Sequence, residues 1–223
     1  EYRYRTPVVS DDTLFVAISQ SGETADTLAA MNVAKKLDYL AMMTICNAPE
    51  SSMVRQSDLV VMTNAGPEIG VASTKAFTTQ LTVLALFSIA LARRAGLEEK
   101  QEQKFVAQLS DLPKISKQIL SMDESIKLLA KNFVDKDNII FLGRGTQNAI
   151  AMEAALKLKE TSYIHAEAYA AGELKHGPLA MVDEDMPVVT VAPDNDLFKK
   201  LKNNLQEVSS RGGELYVFAD PRV

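Results

Sequence analysis

The chain has 223 residues, of which 47% are hydrophobic and 24% are charged, a composition typical of one large or two small globular domains and not of a disordered or fibrous protein. Its net charge is −5 at pH 7 and its basic residues are scattered, which argues against a nucleic-acid-binding surface or a polybasic membrane anchor. The single cysteine, Cys46, excludes an intramolecular disulfide and favours a buried thiol and a cytoplasmic location, and the most apolar segment, 81–92, is shorter than the roughly 20 residues of a membrane span.

Short runs of apolar residues predict six strands, and segments of helical character separate most of them. The strands are predicted at 13–18, 40–46, 59–62, 138–142, 186–191 and 214–219. The helices are predicted at 24–36, 73–93, 98–120, 123–132, 147–161 and 196–210. Because the strands are rich in Val, Ile and Leu, they are expected to be covered on both faces. The alternation of strands and helices predicts an α/β fold with parallel sheets.

A loop rich in hydroxyl groups joins the first predicted strand to the first predicted helix. Its candidate donors to a phosphate are the side chains of Ser19, Gln20, Ser21 and Thr24. Gly22 allows the backbone to bend so that its N–H groups converge, and the helix that follows adds free N–H groups and a partial positive charge. The loop has no lysine or arginine and matches neither the P-loop nor the dinucleotide-binding glycine motif. It therefore favours a small phosphate ester; the alternative is an ordinary Ser/Gly turn with a capping hydroxyl.

A second glycine-containing loop, 66–75, follows the third predicted strand and ends in a Ser-Thr helix cap. Taken alone, it is only the start of a helix. In open parallel sheets, however, ligands bind beyond the carboxyl ends of the strands. Since this loop lies in the same predicted domain as the hydroxyl-rich loop, it is a second candidate for contact with a ligand.

The sequence also contains an internal repeat. Placing residue 18 on residue 191 aligns strand, helix and strand in order and length without a gap. In the second copy the hydroxyl-rich loop is replaced by 192–197, whose acids Asp194 and Asp196 should repel phosphate. The second copy is preceded by a strand and helix whose counterparts would lie before Glu1, and the first copy is followed by a strand and helix whose counterparts would lie after Val223. The repeat therefore predicts a chain that is truncated at both ends. The predicted organisation is a first domain, a helical connector and a second domain at 1–97, 98–132 and 133–223.

The predicted helix 147–161 carries a lysine that could pair with either of two carboxylates. Lys157 and Glu160 are three residues apart and share one helical face. An amine and a carboxylate can thus meet in one pocket, the carboxylate as a general base. The alternative is a solvent-exposed structural ion pair between Glu153 and Lys157, which are four residues apart.

The segment after this helix holds both histidines of the chain and is dense in titratable groups. His176 precedes a Gly-Pro pair that predicts a tight loop, and it is the candidate for proton transfer. His165 follows an apolar residue and is expected to be packed in the interior or to cap a helix. A metal site of His165, Glu167, Glu173 and His176 is conceivable, but the sequence has no HExxH or Cys/His pattern, so no metal is expected.

Four segments of the chain together resemble one enzyme family. They are SQSGETADT at 19–27, GVASTKAFTTQL at 70–81, EAALKLKE at 153–160 and HAEAYAAGELKHGPLA at 165–180. In this order they closely resemble the isomerase part of the glucosamine-6-phosphate synthases, or glutamine:fructose-6-phosphate amidotransferases. That part is built from two sugar isomerase (SIS) domains, each a parallel sheet flanked by helices in a flavodoxin-like three-layer sandwich.

The resemblance implies an activity for the whole protein and roles for nine residues. Members of the family convert fructose 6-phosphate and ammonia from glutamine into glucosamine 6-phosphate, a precursor of UDP-GlcNAc, and no metal or organic cofactor is expected. By this likeness Glu160 is the base that moves a proton between C1 and C2, Lys157 assists it, and His176 of the neighbouring subunit in a homodimer opens the sugar ring. By the same likeness Val71 and Ser73 line the sugar, and its phosphate is held by Ser19, Gln20, Ser21 and Thr24.

The chain departs from the family at its ends. Family members begin with a glutaminase domain whose first residue is a cysteine nucleophile, whereas this chain begins with Glu1 and its cysteine is internal. The first strand and Cys-Gly-Thr-Ser loop of the first SIS domain and a lysine-bearing C-terminal tail are also missing, in agreement with truncation. Two alternatives stay open: an SIS isomerase that acts on a phosphosugar without amination, and a non-catalytic SIS module that senses sugar phosphates.

Overall fold

The computed structural model describes residues 1–220. The chain folds into two compact units, Glu1–Ile115 and the part that begins at Ser116. Each unit is built around its own parallel β-sheet, as the alternation of strands and helices predicts.

The first unit contains a three-stranded parallel sheet in the order β1-β2-β3. Its strands are β1 Leu14–Ser19, β2 Ala41–Cys46 and β3 Leu59–Met62. Its helices are α1 Ala25–Ala34, α2 Ser52–Arg55, α3 Lys75–Arg94 and the first part of α4 Glu99–Leu120. The register places Ser19 beside Cys46 and Cys46 beside Met62, so the three strands end together at one edge of the sheet. Methionines fill much of the core, with the buried cluster Ala17, Met31, Met42 and Met53.

The second unit contains a four-stranded parallel sheet in the order β5-β4-β6-β7. Its strands are β4 Asn138–Gly143, β5 His165–Ala170, β6 Pro187–Ala192 and β7 Glu214–Ala219. Its further helices are α5 Asp123–Ala130, α6 Gln147–Ser162 and α7 Phe198–Ser210. Alternate residues of β4 enter two different buried clusters, with Ile140 and Leu142 in one and Ile139 and Phe141 in the other. This sheet is therefore covered on both faces, which explains its nearly continuous apolar strands.

The structure confirms all six predicted strands to within one residue and all six predicted helices to within two. Strand β5 was not predicted, because alanines alternate with His, Glu and Tyr in its sequence HAEAYA, and of these residues only Tyr169 clearly favours a strand. The short helix α2 was also missed.

The internal repeat is confirmed by the element bounds. The same shift that carries residue 18 onto residue 191 carries β1 onto β6 and β2 onto β7, with matching first and last residues. It also carries the first residue of α1 onto the first residue of α7. The two copies therefore share one strand-loop-helix-strand frame.

Helix α3 corrects the argument about membrane spans. It has 20 residues, a mean hydropathy of 1.5 and little buried surface, so by length and composition it could cross a membrane, and the length of the segment 81–92 does not exclude this. A helix of this length and hydropathy also occurs in soluble proteins, where another protein surface covers it. Its large exposed apolar side chains are Leu81, Leu86 and Leu91. Cys46, by contrast, is buried and free, as predicted.

Candidate functional site

The loop that follows β1 is held in a tight turn by Gly22. This residue has φ +68°, a left-handed conformation that favours glycine. A Cβ atom at this position would overlap the Oγ of Ser51 and lie 2.9 Å from the Sγ of Cys46. Both the backbone conformation and the close approach to the next loop therefore require glycine, and the turn keeps the start of α1 at the carboxyl edge of the sheet.

The hydroxyl oxygens of the two serines in this loop accept hydrogen bonds from its backbone N–H groups. Their hydroxyl protons are therefore available to another acceptor. The Oγ of the buried Ser19 accepts a hydrogen bond from the Gly22 N–H at 2.9 Å, and the Oγ of Ser21 accepts one from the Glu23 N–H at 3.2 Å. Thr24 is the N-cap of α1, and its side chain makes no capping hydrogen bond. The first N–H groups of α1 are thus left without a side-chain cap, as a helix-terminal anion site requires.

The loop contains one acid, Glu23, and its charge is used locally. Its Oε1 accepts a hydrogen bond from the Ser52 N–H at 2.7 Å, at the start of α2. This backbone hydrogen bond is the main reason why the pKa of Glu23 lies below its ordinary value. Nearby, Asp26 in the first turn of α1 pairs with Arg3 at 3.1 Å. Both acids next to the phosphate candidates therefore have partners of their own.

The loop between β3 and α3 carries the other two predicted contacts with the sugar. Val71 is 99% exposed and Ser73 is half-buried. Glu68 folds back over the start of α3 and accepts hydrogen bonds from the N–H groups of Thr74 at 3.2 Å and Ala76 at 3.0 Å. These bonds, the one from Ala76 first, lower the pKa of Glu68. The carboxylate thus caps the helix and holds the loop that carries Val71 and Ser73.

The ammonium group of Lys157 lies between two carboxylates on α6. Its Nζ is 2.7 Å from Glu160 Oε2 and 3.4 Å from Glu153 Oε1. These contacts, the hydrogen bond to Glu160 first, raise the pKa of Lys157. The predicted catalytic pair and the predicted structural pair are therefore both present, and they share one lysine. The three side chains are only about a quarter to a third exposed, so the cluster is partly shielded from solvent.

His176 ends the 3-10 segment Ala171–His176, and its side chain is 74% exposed. Its Nε2 is 3.9 Å from Glu173 Oε2. Among residues 1–220, no hydrogen bond or ion pair joins His176 to Lys157 or Glu160. The segment itself is tied to α7 by the ion pair of Lys175 with Glu207, at 2.8 Å.

The prediction for His165 is wrong. The residue lies on β5 with its side chain 64% exposed, so it is neither packed in the interior nor a helix cap. Its Nδ1 lies 3.0 Å from Asn138 Oδ1 and its Nε2 lies 3.5 Å from Glu167 Oε1. The hydroxyl of Tyr169 donates to Glu167, which raises the pKa of Tyr169. In the described part of the chain, no three His, Cys, Asp or Glu side chains form a group that could hold a metal ion.

Two side chains that fix the loops of the first unit, Glu23 and Glu68, were not predicted as part of the site. Both acids precede a helix in sequence, Glu23 two residues before α1 and Glu68 seven residues before α3, and an acid before a helix start is only a general signal for capping. Glu23 was nevertheless difficult to assign, because the helix that it caps begins at Ser52 and is not the helix that follows it in sequence.

Two parallel sheets, each with loops gathered at the carboxyl ends of its strands, define the class of protein. The model of the SIS domain family matches residues 1–90 and 132–221. The chain therefore belongs to the SIS domain family. Its fold, two α/β units with parallel sheets flanked by helices, is the one expected of that family.

Relatives of known name extend this assignment. The chain is 60% identical over 220 residues to glutamine–fructose-6-phosphate aminotransferase (isomerizing) of Escherichia coli K12, and 63% identical over 221 residues to the protein of the same name from Pseudomonas syringae pv. tomato. Each match covers 99% of this chain and 36% of the relative. A solved C-terminal domain of glucosamine-fructose-6-phosphate aminotransferase from Francisella tularensis has a TM-score of 0.97 and 54% identity, over 99% of this chain and 63% of that one. The chain thus spans little more than a third of the length of the curated relatives.

Proposed function

We propose that this chain is the isomerase part of a glutamine–fructose-6-phosphate aminotransferase, which converts fructose 6-phosphate and glutamine-derived ammonia into glucosamine 6-phosphate. The observation that carries the proposal is 60% identity to proteins of that name over 99% of the chain. The loop after β1 and the cluster on α6 supply the anion site and the proton-transfer groups that this chemistry needs.

The phosphate of the sugar binds at the loop after β1. The hydroxyl groups of Ser19, Ser21 and Thr24 donate to its oxygens, with the amide of Gln20 and the uncapped N–H groups of α1. Neutral donors suffice because the helix terminus contributes a partial positive charge. The sugar then extends towards the loop that carries Val71 and Ser73.

Glu160 moves the proton that turns the ketose derivative into the aldose. After ammonia has replaced the C2 oxygen to form an imine, the carboxylate takes a proton from C1 and returns it to C2. The imine nitrogen gains the proton that the C1 hydroxyl loses, so the carboxylate is regenerated. Lys157, hydrogen-bonded to Glu160 at 2.7 Å, keeps the carboxylate in place. His176 acts earlier as the acid and base of ring opening.

The parent protein also contains a glutaminase domain that supplies the ammonia, and it works as a cytoplasmic homodimer. The large apolar side chains that α3 exposes, Leu81, Leu86 and Leu91, support contact of this helix with another protein surface. If His176 acts across subunits, mixed dimers of a Glu160→Gln and a His176→Ala protein should regain part of the activity. Verified mixed dimers without any recovery would show that each site lies within one subunit.

The role of Glu160 is tested with the full-length protein. Glu160→Gln should leave the affinity for fructose 6-phosphate within about threefold of the parent and slow turnover by about 10²–10⁴-fold. The measurement is deuterium incorporation from solvent at C2 of glucose 6-phosphate. Glu124→Gln, which replaces an exposed acid of α5, is the matched control and should exchange normally.

The exchange measurement, combined with an assay for glucosamine 6-phosphate formed from glutamine, separates the alternatives. A phosphosugar isomerase without amination would show Glu160-dependent exchange but no glucosamine 6-phosphate from glutamine. A sensing module would bind the sugar phosphate without any exchange. Normal exchange in Glu160→Gln would remove this residue from the mechanism.

A further inference from the structure

We infer that Asn47 is a positioning residue that fixes the sugar-facing loop, residues 63–74, against the phosphate loop, residues 19–24. This inference rests on the proposed function and adds a residue to it. No feature of the sequence singled out Asn47. Its role follows from its position directly after β2 and from the four hydrogen bonds that it makes.

The position of Asn47 is the first step. β2 is the middle strand of the three-stranded sheet, between β1 and β3. Asn47 directly follows Cys46, the last residue of β2. It therefore lies at the carboxyl edge between the phosphate loop, which follows β1, and the sugar-facing loop, which follows β3. A residue there can contact both loops at once.

The side chain of Asn47 binds the sugar-facing loop with three hydrogen bonds. Its Oδ1 accepts from the Thr63 hydroxyl at 3.0 Å and from the Ala65 N–H at 2.8 Å. Its Nδ2 donates to the Gly66 carbonyl at 2.8 Å. Rotating the amide by half a turn would place a donor against the Ala65 N–H and an acceptor against the Gly66 carbonyl, so this orientation alone satisfies the loop.

The backbone of Asn47 binds the phosphate loop. Its N–H donates to the Gln20 carbonyl at 3.2 Å. The Sγ of Cys46 also lies 3.6 Å from this carbonyl oxygen. One residue therefore holds the two loops in a fixed relation, through its main chain on one side and its amide on the other.

The sugar-facing loop needs such a tether. Asn64 and Gly66 have positive φ values of 52° and 73°, and a left-handed asparagine is held at a cost. Ile69 and Val71 are 91% and 99% exposed, so packing does little to define the loop between its ends. Glu68 holds the far end at the start of α3. Asn47 holds the near end.

The tether matters because one ligand has to reach both loops. A sugar phosphate held by its phosphate at 19–24 gains from contacts at 63–74 only if the two loops keep their spacing. Loosening the tether should weaken binding of the sugar portion and leave phosphate binding unchanged.

The test uses Asn47→Asp and Asn47→Ala in the full-length protein. Aspartate keeps the oxygen that accepts from Thr63 and Ala65, but it turns a second oxygen towards the Gly66 carbonyl. We expect KM for fructose 6-phosphate to rise at least about tenfold, which corresponds to the loss of about one hydrogen bond. The inhibition constant of inorganic phosphate should stay within about twofold. Amide hydrogen exchange at 64–74 should accelerate in both variants.

Asn138→Ala is the matched control. Asn138 also bonds a neighbouring side chain, His165, at the start of a strand, so its loss should change neither constant. Equal weakening of phosphate and fructose 6-phosphate, or no change in either, would overturn the role of Asn47. If the parent protein binds no fructose 6-phosphate, the proposed function fails, while faster exchange at 64–74 would still establish the tether.

Discussion

The loops after β1 and β6 occupy the same place in the repeated frame and differ in what they present to a ligand. The first offers the hydroxyls of Ser19 and Ser21 and the uncapped start of α1. The second carries Asp194 and Asp196, and the Oδ1 of Asn195 already accepts from the Leu197 N–H at 2.9 Å. The frame supplies a helix terminus in both copies. The side chains decide whether an anion is accepted there.

The second loop also differs in its packing. Leu197 is the N-cap of α7, and its Cδ1 lies so near Gly145 that a Cβ on this glycine would be 2.7 Å away. An apolar side chain thus lies at the helix start whose counterpart in the first copy is Thr24. This comparison predicts that phosphate binds to the first loop and not to the second.

The largest effect is expected from adding a negative charge to the first loop. Ser21→Asp places a carboxylate beside the phosphate, and two such charges about 4 Å apart repel by about 4 kcal/mol at an effective dielectric constant of 20. Inhibition by inorganic phosphate should weaken more than about 100-fold, with an unchanged circular dichroism spectrum. Asp194→Asn is the control and should leave inhibition unchanged. A ligand-bound structure with phosphate at 192–197 would contradict the comparison.

A smaller effect is expected from the geometry of the turn. Gly22→Ala combines left-handed strain with overlap at Ser51 and should lower the free energy of unfolding by about 2–4 kcal/mol. Gly66→Ala meets no atom within 4 Å at φ +73° and should cost only the strain, about 1–2 kcal/mol. Urea unfolding of both variants gives the difference. Equal losses would mean that the close approach to Ser51 does not constrain the turn.

The smallest effect concerns pH and the carboxylate of Glu68. Its pKa is lower in the folded protein than the ordinary value of 4.5. Its contribution to stability is therefore fully present above about pH 4.5 and is lost as the pH falls through the folded value. The amide NMR signals of Thr74 and Ala76 should titrate below pH 4.5, and those in Glu68→Gln should not. Signals in the variant that still titrate in this range would assign the transition to another group.

Much of the fold could be predicted from the sequence because its signals are local. Apolar runs gave six strands, and the ungapped repeat gave the correspondence of β1 with β6 and of β2 with β7. β5 could not be recognised, since of its residues only Tyr169 clearly favours a strand and no apolar run marks it. The prediction that His165 is packed in the interior or caps a helix was wrong because β5 is an edge strand of its sheet, on which the side chain of His165 is exposed.

The candidate site was predictable only where its chemistry lies within one short segment. The hydroxyl-rich loop and the spacing of Lys157 and Glu160 are visible in the sequence. The contact between Asn47 and Gly66 depends on the parallel pairing of β2 with β3, which brings the ends of the two strands together. The contact of Glu23 with Ser52 likewise joins segments 29 residues apart. Such tethers are products of tertiary structure and have no local pattern.

The ungapped match between the two copies makes their loops interchangeable in length. Residues 19–24 and 192–197 connect strands with matching bounds to helices that begin at equivalent residues, so either six-residue segment can be grafted into the other copy without lengthening or shortening the chain. The protein thus carries within itself a template for protein engineering, in which the acidic segment marks the site where a second anion-binding loop can be built.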